Sequence, residues 1–180
     1  MQRKHGKSHT ARLPKGLDIL YEDDQILVVN KPAGLLAVGT PTNRTRTAYY
    51  LLTDYVRRGN PKSRNRIFIV HRLDQWTSGV LLFAKSEPVK ERLQENWPQV
   101  KKKYVAVAHG HPGQKERTIT SYLAENKGLT VYSTDDPAEG KLSHTAYKIV
   151  KESRLFSLME IDLLTGRKNQ IRVHLADLGH

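Results

Sequence analysis

The chain has 180 residues and carries 30 lysines and arginines against 18 acids, a formal charge of +12 and a pI near 9.9. That length fits one domain with a real core, and that charge favours an anionic partner, nucleic acid first and an anionic membrane surface second. The absence of cysteine excludes disulfides and thiolate zinc sites and makes a cytoplasmic location the default expectation.

Apolar runs reach only about six residues, against the roughly 18 needed for a membrane-spanning helix, and the start of the chain lacks the apolar centre of a secretion signal. Residues 1–16 hold Arg3, Lys4, Lys7, Arg12 and Lys15 with no acid. They read as a mobile basic arm, either touching phosphates or simply solvated. Residues 17–21 and 26–30 flank the polar turn 22–25, a strand–turn–strand pattern that Lys31-Pro32-Ala33-Gly34 then breaks. Ala48, Leu51, Leu52, Tyr55 and Val56 recur at helical spacing, predicting an amphipathic helix over 47–58 that Gly59-Asn60-Pro61 ends. The following stretch, 57–66, is basic and free of acids, either a phosphate-contact surface or a solvated loop.

Residues 71–85 read HRLDQWTSGVLLFAK. Thr77-Ser78-Gly79 signals a turn and 80–84 a buried strand, so Arg72 and Asp74 sit on a loop just before a rigid element. A short helix is expected over 87–96, closed by Trp97-Pro98, and a strand over 101–109 with Tyr104, Ala106 and Ala108 on one face. Residues 110–142 read as an irregular surface excursion with short strand-like pieces. Two strands follow, about 143–150 and 155–163, and then a helix over 169–178 with Ile171, Leu175 and Leu178 on one face and Gly179 as its C′ residue. Strands with a few helices, not in regular alternation, imply an α+β fold: a mostly antiparallel sheet with flanking helices and a central cleft, in a single domain over 17–180.

By itself Asp74 is an aspartate that either forms a turn or pairs on the surface. Arg72 beside it favours the ionised carboxylate, and a carboxylate can act at a sugar anomeric carbon. Tyr104 by itself is a strand residue that packs in the core. No metal-ligand spacing, phosphate-binding glycine loop or serine-nucleophile context is present.

The string HRLD-x-x-TSG resembles the central motif of the RluA-type RNA pseudouridine synthases, KPAG at 31–34 resembles their N-terminal motif, and LLTGRKNQIRVHLADLG at 163–179 resembles their C-terminal one. The resemblance implies that Asp74 is the catalytic aspartate, that Arg172 pairs with it and that Tyr104, in KKKYVAV, lines the target base. It further implies that Arg72 helps extrude the base or occupies its vacated place, and that Arg167, Lys31 and Lys103 belong to the substrate-binding surface. It implies no cofactor, because isomerisation is redox-neutral, and an RNA partner, ribosomal or transfer RNA, with a monomer as the default and no membrane. Asn169 stands where the family usually has histidine, and it cannot titrate. His174 matches a second family histidine and reads as structural. The family usually continues beyond a segment equivalent to Gly179-His180, so the reading expects a domain lacking its C-terminal end. A non-catalytic RNA-binding domain of the same fold is the alternative, and a membrane-surface protein a third, disfavoured by the lack of a cationic amphipathic helix.

Overall fold

Residues 13–180 are described by a computed structural model, so most of the expected basic arm lies outside the described residues. The α+β class is as expected, but the chain gathers into two compact units, one ending at Trp97 and one running Pro98–His180. No shift of composition at residue 97 announces this division.

The first unit is a four-stranded antiparallel sheet in the order β1-β2-β4-β3 with two helices. It comprises β1 Asp18–Glu22, β2 Ile26–Lys31, α1 Ala48–Arg57, β3 Phe68–Ile69, β4 Gly79–Ala84 and α2 Glu87–Glu95. Period-two alternation buries Leu27, Val29 and Lys31 of β2, and register sets them opposite Phe83, Leu81 and Gly79 of β4. Ala48 and Leu52 of α1 are fully buried, and Tyr49 meets Phe83 at 6.4 Å between ring centroids. Each such buried leucine or phenylalanine stabilises the unit by roughly 1.5–3 kcal/mol. The helix starts where Thr47 accepts the Tyr50 N–H at 3.1 Å and stops at left-handed Arg58. β3 is too short to have shown a period.

The second unit is a five-stranded antiparallel sheet, β5-β9-β8-β6-β7, with one helix. It contains β5 Lys103–His109, β6 Glu116–Glu125, β7 Val131–Thr134, β8 Lys141–Glu152, β9 Phe156–Leu163 and α3 Gln170–Asp177. Tyr147, Ile149, Met159 and Ile161 form its core with Leu175 of α3, and Tyr104, Ala106, Ile171 and Leu178 pack against that cluster. Val105 and Val107, on the opposite face of β5, are exposed.

The irregular excursion expected over 110–142 is a correction. Its residues form the ten-residue strand β6 and the four-residue β7. β6 hides from sequence pattern because few of its positions are apolar and buried, chiefly Ile119, Leu123 and Ala124, while its ladder is completed by β8, some twenty residues away in the chain.

Candidate active site

Lys31 ends β2 and is wholly buried, on the same row as Leu27 and Val29. An ammonium can be buried only if its three protons find acceptors. They find Pro32 O at 2.9 Å, Leu35 O at 2.8 Å and Gln75 O at 3.1 Å. Burial pushes Lys31 below the usual lysine range, and the Asp74 carboxylate pushes it back up. The Lys31 ammonium is thus engaged by the carbonyls of its own turn and of the residue after Asp74.

A second pair of bonds joins the same two segments. The Gly34 N–H donates to Gln75 O at 2.9 Å, and the Gln75 side-chain amide donates to Gly34 O at 3.1 Å. Gly34 has a φ of +86°, a backbone conformation that glycine adopts without strain. Asp74 itself opens a turn, its carbonyl accepting the Thr77 N–H at 3.1 Å. Its side chain is half-buried. Gly79, with φ +127°, then turns the chain into β4. The two motifs that resembled separate family signatures are thus one object, a loop carrying Asp74 stapled to the end of β2.

His71 fixes the other end of that loop. Its Nε2 accepts the Leu82 N–H of β4 at 3.1 Å, and its ring stacks on Trp97 with centroids 4.4 Å apart. Burial holds its imidazole down to about 4, so at neutral pH it is an uncharged acceptor. Between these anchors Arg72 points to solvent and, among the described residues, forms no ion pair.

In the second unit the chain entering α3 is held by Gln170, which is buried and makes four hydrogen bonds. Its Oε1 accepts from Thr165 Oγ1 at 2.9 Å and from the Arg167 N–H at 3.0 Å, and its Nε2 donates to His144 O at 3.0 Å and Thr145 Oγ1 at 2.9 Å. Every hydrogen-bonding site of that amide is used, which explains a glutamine in a core. Asn169 precedes it in the left-handed region, φ 54°, where asparagine is among the better-tolerated side chains.

His174 is fully buried one turn on. Its Nδ1 lies 2.9 Å from Thr145 Oγ1 and its Nε2 3.1 Å from Ser121 Oγ. Ser121 lies 3.0 Å from Ser133 Oγ, which donates to the Asp177 carboxylate. Because an ionised carboxylate only accepts, the direction of the whole chain follows: Gln170 donates to Thr145, Thr145 to Nδ1, Nε2–H to Ser121, and Ser121 to Ser133. Burial lowers the His174 pKa, with Asp177 opposing, which agrees with a neutral ring. His174 is structural, as expected.

This relay holds α3 while leaving Arg172, and Arg167 just before it, exposed. Tyr104 is half-buried against the core cluster. Lys103 is exposed and pairs with Asp162 at 3.7 Å, a surface contact worth about 0–1 kcal/mol. Lys31, Arg72 and Asp74 belong to the first unit, and Lys103, Tyr104, Arg167 and Arg172 to the second.

Sequence reasoning missed Gln75, His71 and Gln170 as organising residues. For Gln170 a polar residue on the apolar side of a predicted helix was the available signal. No group of His, Cys, Asp or Glu side chains among the described residues is arranged to hold a metal ion.

The model of the RNA pseudouridylate synthase family matches residues 25–177. An uncharacterised RNA pseudouridine synthase of Bacillus subtilis, YhcT, is 35% identical over 168 residues, covering 91% of this chain and 55% of the relative. Ribosomal large subunit pseudouridine synthase D of Salmonella typhimurium is 35% identical over 176 residues, covering 91% and 50%. The chain therefore spans about half the length of the curated relatives it matches. The solved structure of human RNA pseudouridylate synthase domain containing 4 shares the fold, with a TM-score of 0.74 at 24% identity over 89% of this chain and 64% of that one. With the aspartate loop, its lysine staple and the extent of the family match in agreement, the chain belongs to the RNA pseudouridine synthase family, of the RluA type.

Proposed function

We propose that this chain carries the catalytic domain of an RNA pseudouridine synthase that isomerises a uridine in structured RNA in the cytoplasm. The observation that carries this reading is the stapled loop. Lys31 and the Gly34–Gln75 pair hold Asp74 at a fixed place, half-buried yet reachable, as a catalytic carboxylate needs. The target uridine leaves its stack, because the bond to be broken is inaccessible within a helix. The N1–C1′ bond breaks, the uracil rotates, C5 bonds to C1′, and the C5 proton is lost as N1 gains one, so atoms and electrons balance without a cofactor.

Asp74 acts either at C1′ or by taking a proton from the ribose. Arg172 is the proposed partner of Asp74, and Tyr104 the proposed neighbour of the base. Arg72 fills the space the base leaves, while Arg167 and Lys103 add positive charge for phosphates. Ribosomal RNA is the favoured substrate, since one 35%-identical relative is named for the large ribosomal subunit.

The test incubates the protein with RNA from cells lacking it and maps pseudouridine, comparing the native chain with Asp74→Ala. A site formed only by the native chain is expected. Absence of any Asp74-dependent site contradicts the proposal, and RNA binding retained in that case favours a non-catalytic RNA-binding domain.

A further inference from the structure

Trp76 is the second residue after Asp74, and it is 71% exposed. A single exposed aromatic is ordinary on a protein surface, but this one stands on the loop that carries Asp74. One face is held in place. The ring lies on Gly34, where an added Cβ would stand 3.3 Å from Cζ3. The loop beneath it is the one stapled by Gln75 and Lys31, so the indole is presented on a rigid mount.

Gly34 and Gln75 also line a cleft of about 410 Å³, within the roughly 300–1,000 Å³ of small-ligand sites. Its walls include Pro32, Leu35 and Leu36, which are apolar, and Asn43 and Arg46, which are polar. Residues 40–46, TPTNRTR, add Arg44 and contain no acid. An open aromatic face, an apolar slot and an acid-free basic rim match the stacking platform and cationic track of single-strand nucleic-acid sites.

We infer that Trp76 and the adjoining cleft hold an unpaired RNA nucleotide that flanks the target uridine, its base stacked on the free face of the indole and its phosphate near Arg46. The inference rests on the proposed function and extends it to a determinant of substrate choice. The distance fits a neighbouring nucleotide. Two residues of chain separate the Cα atoms of Asp74 and Trp76 by at most about 7 Å. Stacking is tolerant of base identity, so the site selects for an unpaired, extrudable neighbour and not for one base.

The test uses the chain with Asp74→Asn, to prevent turnover, and Trp97→Phe, which leaves Trp76 as the sole tryptophan. Single-stranded oligouridylate should quench its emission and shield it from acrylamide, whereas duplex RNA of equal length should not. Trp76→Ala should weaken oligouridylate binding about 5- to 150-fold, with Trp76→Phe restoring most of it. Arg46→Glu should weaken binding and flatten the salt dependence by about one charge. In turnover of the mapped uridine by the otherwise native chain, Trp76→Ala should raise KM with kcat nearly unchanged. Binding that is unchanged in Trp76→Ala overturns this inference and leaves the proposed function standing. Failure of every variant to bind RNA overturns both. Shielding of Trp76 that depends on protein concentration without RNA assigns the patch to self-association and also overturns it.

Discussion

The two units present charged residues by different means. In the first, one buried cation gathers three backbone carbonyls and fixes the loop of Asp74 from beneath. In the second, a relay of neutral amide, hydroxyl and imidazole groups runs from Gln170 to Asp177 and holds the helix of Arg172. A cation satisfied by carbonyls is hard to replace, because any neutral side chain strands its acceptors. A relay of neutral groups tolerates loss of a peripheral member, because each link carries less charge.

Substitutions should separate the two designs. Lys31→Met should have the largest effect, lowering stability by about 3–5 kcal/mol in urea denaturation and abolishing pseudouridine formation with the loop. Gln170→Ala should come next, at about 2–3 kcal/mol in the same measurement, since four hydrogen bonds go but some of their partners can turn to water. Ser133→Ala, at the far end of the relay, should fall below about 1.5 kcal/mol.

Acid should load the first unit through His71. Its folded pKa of about 4 lies below the ordinary 6.5, so the unfolded chain binds the proton more readily. The stability is full above about pH 6.5 and is lost as pH falls toward 4, by about 2 kcal/mol at pH 5. His71→Gln, whose amide oxygen can accept the Leu82 N–H, should flatten that part of the pH profile in denaturation curves at pH 7 and pH 5. The smallest effect belongs to Lys103→Ala, about 0.5 kcal/mol or less, since its pair with Asp162 is exposed on both sides.

Local periodicity made much of this fold legible. β2, α1, β4, β5 and α3 each carry their pattern in a single window, and Gly179 stands in the C′ position where the sequence suggests it. β6 and β7 are not legible, because the half-buried Ser121 and Ser133 face a histidine and an aspartate on a helix 44 to 53 residues away. Residue type and spacing do not reveal such partners. Asp74 stands out because its neighbours are unusual together, whereas nothing next to Lys31 in the sequence shows that it is buried. A lysine at a strand end is exposed by default, and one of the three carbonyls that let it be buried, that of Gln75, lies 44 residues on. Gln75 and Trp76 fall on the variable positions of HRLD-x-x-TSG, so motif matching passes over the two residues that clamp the loop and open it to a ligand.

The most direct measurement is single-turnover conversion of the mapped uridine by Asp74→Asn, alongside its RNA affinity and its urea midpoint. The account predicts conversion below about one hundredth of the native rate with affinity and midpoint nearly unchanged. Conversion at the native rate would contradict it.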